Sequence, residues 1–192
     1  MKKILSIILG AFICLQSFAQ VSVNAGYLNS SYKYSDGGYS LKVNGNGFYA
    51  GVGFDIKSSN YPQFSFAPGL NFNLVDYNVG DGVNAVEYFV SAPLHLKLTQ
   101  PMSNVADLYV SAGPTLICTL GSNSRYSYGS VSYTENEKGG DFDVAIGLEG
   151  GLLLSNNIKL MVGYDFGTIN QNDDNDYKVT RNILHVGVGY IF

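Results

Sequence analysis

The chain has 192 residues, and its 11 basic and 15 acidic residues give a net charge of −4 at pH 7. This acidic balance argues against a nucleic-acid-binding protein, which needs a basic surface. With 23 Gly, 15 Tyr, 11 Phe and only 14% charged residues, the composition favours strands over helices and fits one domain.

The first residues have the pattern of a secretory signal. Two lysines precede an apolar stretch over residues 4–15, and the small residues Ser17 and Ala19 follow it. This stretch is too short to span a bilayer, which takes about 20 residues of helix. We therefore predict a cleaved signal peptide over residues 1–19 and a single domain over residues 20–192.

Cleavage changes the charge and the cysteine content. It removes two lysines and no acid, so 9 basic and 15 acidic residues remain, with a net charge of −6. Cys14 lies in the signal, and the residues before it lack the leucine typical of a lipoprotein site. Cys118 then remains alone, which excludes an intrachain disulfide and a metal site built from several cysteines.

The rest of the chain alternates large apolar residues with small or polar ones. In residues 64–74, for example, one face carries Phe, Phe, Pro, Leu, Phe and Leu, and the other carries Ser, Ala, Gly, Asn and Asn. Such period-two patterns indicate strands. In chain order the predicted strands are 21–28, 47–56, 64–74, 87–98, 108–118, 141–154, 158–166 and 182–192.

The two faces of these strands point to a membrane. Gly, Ser and Asn cannot form the apolar interior of a soluble sandwich or barrel, whereas large apolar residues facing lipid around a narrow polar interior are typical of a membrane barrel. Closure also pairs every backbone polar group, as lipid requires. We predict an all-β fold, an eight-stranded antiparallel up-and-down transmembrane β-barrel.

The connections agree with this prediction. Long gaps at about 29–46, 75–86, 119–140 and 167–181 alternate with short ones such as SNN. Outer-membrane barrels have long outer loops and short periplasmic turns. We therefore expect a location in the bacterial outer membrane, with both ends of the mature chain in the periplasm.

Three prolines, Pro68, Pro93 and Pro114, fall inside predicted strands. Proline has no N–H to donate, and a closed barrel has no free edge where that loss is harmless. We expect β-bulges or irregular pairing at these positions.

Three short motifs carry a family resemblance: APLHLKL in the fourth predicted strand, YVSAGPTL in the fifth and FDVAIGLEGG in the sixth. In this order they resemble the PorT-like family of bacterial outer-membrane β-barrel domains, across nearly the whole mature chain. The resemblance implies an eight-stranded barrel in the outer membrane of a Gram-negative bacterium. One relative serves protein secretion, but no residue here carries that role over.

The two histidines, His95 and His185, are predicted to face inwards. A barrel esterase would need a serine, a histidine and an acid within hydrogen-bonding reach. Ser91 and Glu87 share a face with His95 but lie about 13 and 26 Å away along the strand, at 3.3 Å per residue. We therefore predict no catalytic residues.

Several charged residues are also predicted to face inwards, where a charge must be paired. We expect Lys97 and Lys159 to neutralise Glu149 in an interior polar cluster. Inward positions are also expected for Asp141, Asp143 and Asp165. A proton or ion pathway is the alternative, although eight strands leave an interior that side chains fill.

Two loops carry no predicted site. The stretch NQNDDNDYK at 170–178 lacks the glycine and distant glutamate of an EF-hand, so we expect a solvated outer loop and no metal or other cofactor. The stretch 125–140 is rich in Tyr and Ser, a composition suited to surface recognition.

The end of the sequence resembles the signal by which the barrel-assembly machinery recognises its substrates, with Tyr190 and Phe192 as its aromatic residues. The expected partners are outer-membrane lipids, this machinery, and a surface or envelope protein. We expect a structural or surface-interaction role without catalysis. The alternatives are a barrel enzyme acting on lipids and a narrow channel or secretion accessory.

Overall fold

The computed structural model describes residues 19–36, 39–80, 83–128, 131–155, 157–168 and 178–192. Within these ranges no helix is long and apolar enough to cross a membrane. The predicted signal peptide and most of the 170–178 stretch lie outside the described residues. The described strands are β1 (Gln20–Asp36), β2 (Tyr39–Lys57), β3 (Phe64–Gly80), β4 (Val83–Pro101), β5 (Ala106–Tyr128), β6 (Val131–Lys138), β7 (Phe142–Leu154), β8 (Ile158–Gly167) and β9 (Lys178–Ile191).

All strand pairings are antiparallel, and together they form a closed ring. Each strand pairs with the next along the chain from β1 to β5, then β5 pairs with β7, β7 with β8, and β8 with β9. β9 pairs in turn with β1, from Ser22 opposite Ile191 to Ser35 opposite Lys178. The all-β antiparallel prediction is confirmed, and all eight predicted segments are strands.

A ninth strand, β6, arises because the sixth position in the barrel wall is divided between two strands. β5 pairs with β7 as far as Cys118 and with β6 from Gly121 onwards. The register between β4 and β5 shifts at the same height, which leaves Leu120 as an extra residue. Gly140, with φ of 149°, allows the chain to turn between β6 and β7. The barrel wall therefore has eight positions, one of which is divided between two strands.

Three of the predicted long loops are instead paired strands. The regions 29–46, 75–86 and 119–140 continue as the hairpins β1–β2, β3–β4 and β5–β6. The prediction placed strand ends where the apolar alternation stops, but backbone pairing continues beyond it. β5 alone has 23 residues, whereas about 9–11 suffice to cross a membrane.

Each proline lies where a ladder is interrupted without a register shift. Pairing skips Pro68 in the β2–β3 ladder, Pro93 in the β3–β4 ladder and Pro114 in the β4–β5 ladder. Each proline still has a partner on its other side, namely Leu94, Thr115 and Ile146 respectively. The missing N–H thus costs local pairing on one side only, as expected for irregular pairing rather than a bulge.

The outward face is apolar on every wall, as predicted. The exposed side chains include Phe72, Leu96, Val110, Leu148, Val162 and Val186, and Cys118 is exposed too. The predicted interior was wrong in one respect, because it is not built from small and polar residues alone. Large side chains also fill it, among them Tyr49, Val75, Phe89, Tyr109 and Ile117.

The apolar outer band can be tested at its middle. Val162 is the third of five outward apolar positions on β8 and is half exposed. We expect Val162→Lys to reduce the free energy of unfolding by about 2–4 kcal/mol, the cost of a cation at the bilayer midplane. Urea unfolding in phosphatidylcholine vesicles measures this loss, with heat-modifiable gel migration as the readout of the folded fraction.

Thr134→Lys is the matched control, because Thr134 is exposed on β6 beyond the apolar band. It should unfold at the same urea concentration as the wild type. Equal stability of both lysine variants would contradict a lipid-facing position for Val162.

Candidate functional site

The interior near the short turns holds two separate ion pairs. Lys97 on β4 pairs with Asp55 on β2, while Lys159 on β8 lies 2.9 Å from an oxygen of Glu149 on β7. The structure thus brings Lys159 to Glu149 as expected, but the expected pairing of Lys97 with Glu149 is wrong. Asp55 reaches Lys97 across the single intervening strand β3, and a comparison of residues within single strands could not detect this.

Tyr109 joins the two pairs. Its hydroxyl donates a hydrogen bond to Glu149 Oε1 at 2.9 Å, and its ring lies 5.4 Å from the Lys97 ammonium and 5.0 Å from that of Lys159. Cation–π contacts of this kind are stronger when they are desolvated. The side chains of Lys97, Glu149 and Lys159 therefore belong to one network through Tyr109.

The two histidines extend this network towards the middle of the barrel. His185 Nε2 lies 3.3 Å from Glu149, and His185 Nδ1 lies 3.7 Å from Asp165. Asp165 accepts a hydrogen bond from Thr115 at 2.8 Å, and Thr115 lies 3.3 Å from His95 Nε2. Both histidines face inwards, as predicted, and each contacts residues on neighbouring strands.

The histidines do not form a serine-hydrolase arrangement within the described residues. His95 Nδ1 lies 3.4 Å from Ser111, but the other ring nitrogen meets Thr115 instead of a carboxylate. Such a mechanism needs an acid to orient the histidine. Ser111 is also buried in the lumen. Ser91, the serine that shares a face with His95 on the same strand, accepts a hydrogen bond from Asn73 at 3.1 Å.

A small cavity lies beside this network. About 80 Å³ of it is open to the centres of water molecules, more than the roughly 10–15 Å³ that one water requires. Asn24 Oδ1, Tyr49 OH and Asp55 Oδ1 belong to residues that line the cavity, and they have no hydrogen-bond partner within the described chain. No group of three or more His, Cys, Asp or Glu in that part of the chain could hold a metal ion.

Buried apolar side chains close the lumen beyond the cavity. Along β4 the inward positions pass from His95 and Ser91 to Phe89, which is completely buried. Val75 on β3 and Ile117 on β5 are buried in the same cluster, together with Leu28 on β1. This layer separates the polar network near the short turns from the end of the barrel that carries the β1–β2, β3–β4 and β5–β6 hairpins.

A third ion pair lies on the other side of this layer. Arg181 on β9 contacts Glu87 on β4 at 2.5 Å and Thr119 on β5 at 3.2 Å. Glu87 also accepts a hydrogen bond from Tyr32 at 2.9 Å. The Arg181 guanidinium lies 4.7 Å from the Tyr32 ring and 4.8 Å from the Phe89 ring. This cluster ties four strands together.

Sequence reasoning missed two charged members of these clusters, Asp55 and Arg181. Asp55 has the inward parity of the strand 47–56, a signal that was available. Arg181 lies just outside the predicted strand 182–192 but has the same parity as Ile183 and His185. Asp143 and Asp165 are buried as expected, whereas Asp141 is exposed between β6 and β7, which corrects its predicted inward position.

The aromatic residues predicted as an assembly signal lie outside the barrel. Tyr190 and Phe192 are both exposed, and their rings make an edge contact with centroids 5.1 Å apart. The Phe192 N–H donates to the carbonyl of Val21 at 2.9 Å, and that of Ile191 donates to Asn157 at 2.7 Å. This end of β9 is thus fixed to β1 and to the turn before β8.

An apolar outer face around a ring of paired strands with internally paired charges defines a membrane β-barrel. The chain belongs to the family described as outer membrane protein beta-barrel domain, which it matches over residues 5–192. Its members are bacterial outer-membrane proteins. A search of curated proteins found no match.

Solved structures with a similar fold share little sequence with the chain. Neisserial surface protein A (NspA) is 17% identical with a TM-score of 0.48, and Ail of Yersinia pestis is 15% identical with a TM-score of 0.45. Each alignment covers 91% of this chain and 99% of the other. The outer membrane enzyme PagL is 12% identical with a TM-score of 0.41, covering 86% and 98%. With TM-scores below 0.5, these similarities do not indicate an activity.

Removing the Glu149 charge tests the polar network. Glu149→Gln leaves Lys159 and His185 without their shared carboxylate, and breaking a buried ion pair by removing one partner is strongly destabilising. We expect a loss of about 3 kcal/mol in the free energy of unfolding and a lower melting temperature in detergent.

Glu135→Gln provides the control, because Glu135 is exposed on β6. An exposed substitution of this kind changes stability by roughly 0.5 kcal/mol or less. If Glu149→Gln melted at the same temperature as this control, the network would not contribute to stability.

Proposed function

We propose that this protein is a non-catalytic outer-membrane barrel whose hairpins form an interaction surface outside the cell. The observation that carries this proposal is the extension of β1–β2, β3–β4 and β5–β6 beyond the apolar band. They extend at the end of the barrel opposite Gln20 and Ile191. In the proposed orientation, both ends of the mature chain are therefore periplasmic.

The surface of the hairpins supports a role in recognition. Leu41 and Tyr133 are large side chains with more than 60% of their surface exposed, and the rings of Tyr126 and Tyr133 lie 6.4 Å apart. Exposed tyrosine among small polar residues suits binding, because tyrosine offers contact area at low entropic cost. The partner proposed for this surface is a surface or envelope protein.

The interior gives the hairpins a rigid base and does not favour transport. The lumen contains Phe89 and Ile117, both almost without exposed surface, between its two charged clusters. No observation favours the alternatives of a narrow channel or secretion accessory, or of an enzyme acting on lipids, over the proposed role.

The exposed aromatic pair at the end of β9 supports a second part of the proposal. Tyr190 and Phe192 present their rings outwards while the backbone around them is held by β1. We propose that the barrel-assembly machinery recognises these two side chains before β9 closes onto β1. Lipids of the outer membrane would then surround the apolar band.

Within the family, the motifs APLHLKL and YVSAGPTL support a place close to the PorT-like barrels. The prolines of both motifs lie in neighbouring interruptions of the β3–β4 and β4–β5 ladders. The two motifs thus occupy neighbouring strands of this barrel, and no role in secretion follows from that.

Cysteine labelling tests the orientation. In a Cys118→Ala background, we expect Ser40→Cys on the β1–β2 hairpin to react with a membrane-impermeant maleimide in intact cells. Ser103→Cys lies in the turn between β4 and β5 and is the matched exposed control. It should react only after the cells are lysed, because the outer membrane excludes the reagent.

Labelling of Ser103→Cys in intact cells, with Ser40→Cys protected, would show that the hairpins face the periplasm. Equal labelling of both before and after lysis would contradict insertion in the outer membrane.

A further inference from the structure

The ladder between β2 and β3 is interrupted within the membrane-spanning part of the wall. Pairing stops at Gly53 opposite Gly69 and resumes at Ile56 opposite Phe66. The residues skipped by this β2–β3 interruption are Phe54, Asp55, Ala67 and Pro68. Proline has no N–H with which to bridge the two strands, and the two glycines have no side chains to cover the interruption from the inside. The two strands are therefore joined least firmly at this point.

The lumen cavity reaches into the wall at this interruption. Elsewhere the cavity is lined by inward residues only. On β1, for example, Ser22 and Asn24 line it, whereas the outward residue Val23 between them does not. The outward residues that do line it all lie at or next to the interruption, namely Val52, Phe54 and Pro68. The cavity thus extends between β2 and β3 towards the lipid-facing surface.

The interruption lies in the apolar band, close to the short turns. Phe54 is three residues from Lys57, the exposed charged residue that ends β2. This is about 10 Å along a strand at 3.3 Å per residue, or about 8 Å in height at a tilt of roughly 40°. The headgroup layer is roughly 5–7 Å thick on each side. With Lys57 at the aqueous edge of this layer, the interruption opens onto the outermost part of the hydrocarbon.

The two sides of the interruption differ in chemistry. Outside it, Phe66 and Leu70 are exposed apolar side chains. Inside it, the cavity is lined by polar groups, among them Asn24, Asn71 and the ion pair of Lys97 with Asp55. A molecule bound across the wall must therefore be amphiphilic, with a polar head in the lumen and an apolar chain in the bilayer.

The cavity also restricts the head of such a molecule. Its volume of about 80 Å³ corresponds to roughly five to eight water-sized positions, which suits a glycerol group and is too small for a sugar phosphate. The lysines of the cavity already pair with its acids, Lys97 with Asp55 and Lys159 with Glu149. A charged head would add an unpaired charge. Hydroxyl groups, which both donate and accept hydrogen bonds, fit this lining best.

We propose that the β2–β3 interruption is a lateral binding site for a single-chain lipid with a small uncharged hydroxylated head, of the monoacylglycerol class. The head occupies the lumen cavity, and the chain leaves between Phe54 and Pro68, where the strands can separate without breaking ladder pairs. The site requires only that the chain spans a membrane. The proposed function determines only which leaflet supplies the lipid, namely the periplasmic one.

Tryptophan fluorescence of the full mature chain in dodecyl maltoside tests this site. The chain contains no Trp, so Phe54→Trp introduces a single indole at the outer rim of the interruption. The probe is a monoacylglycerol with a brominated chain, because bromine quenches an indole that it contacts. We expect the quenching of Phe54→Trp to saturate at a low mole fraction of the probe in the micelle.

Leu152→Trp is the matched control. Leu152 is also half-buried and lies two residues from the turn end of β7, a strand that pairs with neither β2 nor β3. Its quenching should rise only in proportion to the brominated lipid in the micelle, without saturation.

Two further variants are made in the Phe54→Trp chain. Ala67→Leu fills the cavity behind the interruption and should raise the half-saturating concentration of the probe roughly tenfold, because extra methylene groups do not fit into an occupied site. Ala50→Leu enlarges an exposed outward alanine on β2 and should leave binding unchanged. Heat-modifiable gel migration of every variant shows that the barrel is folded.

Equal quenching of Phe54→Trp and Leu152→Trp would overturn the proposal, as would unchanged saturation in the Ala67→Leu variant. A two-chain phosphatidylglycerol with the same brominated chains should not saturate the Phe54→Trp signal. If it did so as readily as the monoacylglycerol, the assignment to a single-chain lipid would be wrong. In detergent the whole outer surface is accessible, so a failure here is independent of the orientation measured by cysteine labelling.

Discussion

The structure depends on one constraint, which is that lipid offers no hydrogen-bond partners to a backbone. Every wall strand must therefore have a neighbour on both sides where it crosses the membrane. The pairing of β9 with β1, from Ser22 opposite Ile191 to Ser35 opposite Lys178, meets this requirement for the two strands that would otherwise be edges. The same constraint explains why the interruptions at Pro68, Pro93 and Pro114 are confined to one side of each proline. A second ladder still holds the strand on the other side.

Closure in turn determines the chemistry of the interior. Side chains of alternate residues must enter a lumen that an eight-position wall makes narrow, so charged residues there need partners from other strands. Glu149 meets this need with Lys159, His185 and Tyr109, and Glu87 meets it with Arg181 and Tyr32. The apolar layer between these clusters completes a rigid interior, which supports the hairpins.

The sequence contained enough information for the fold but not for the contacts of the site. Period-two alternation identified the eight segments and their outward faces, because lipid selects apolar residues at every second position. It did not identify β6 or the upper parts of β1 to β5, since the hairpins beyond the membrane lose that alternation while keeping their backbone pairing. The pairing of Lys97 with Asp55 joins β4 to β2 across the intervening strand β3, which no pattern within one strand encodes.

The central claim is that β1 and β9 close the barrel, and an engineered disulfide between them tests it most directly. In the Cys118→Ala background, Ala25→Cys with Val188→Cys introduces cysteines at positions directly opposite each other, within the distance that a disulfide spans. Ala25→Cys with Leu184→Cys is the control, because its cysteines are about 13 Å apart along the strands. Closure predicts an intramolecular crosslink in outer-membrane fractions for the first pair and none for the second. The absence of a crosslink in the first pair, or crosslinks only between two chains, would contradict the account.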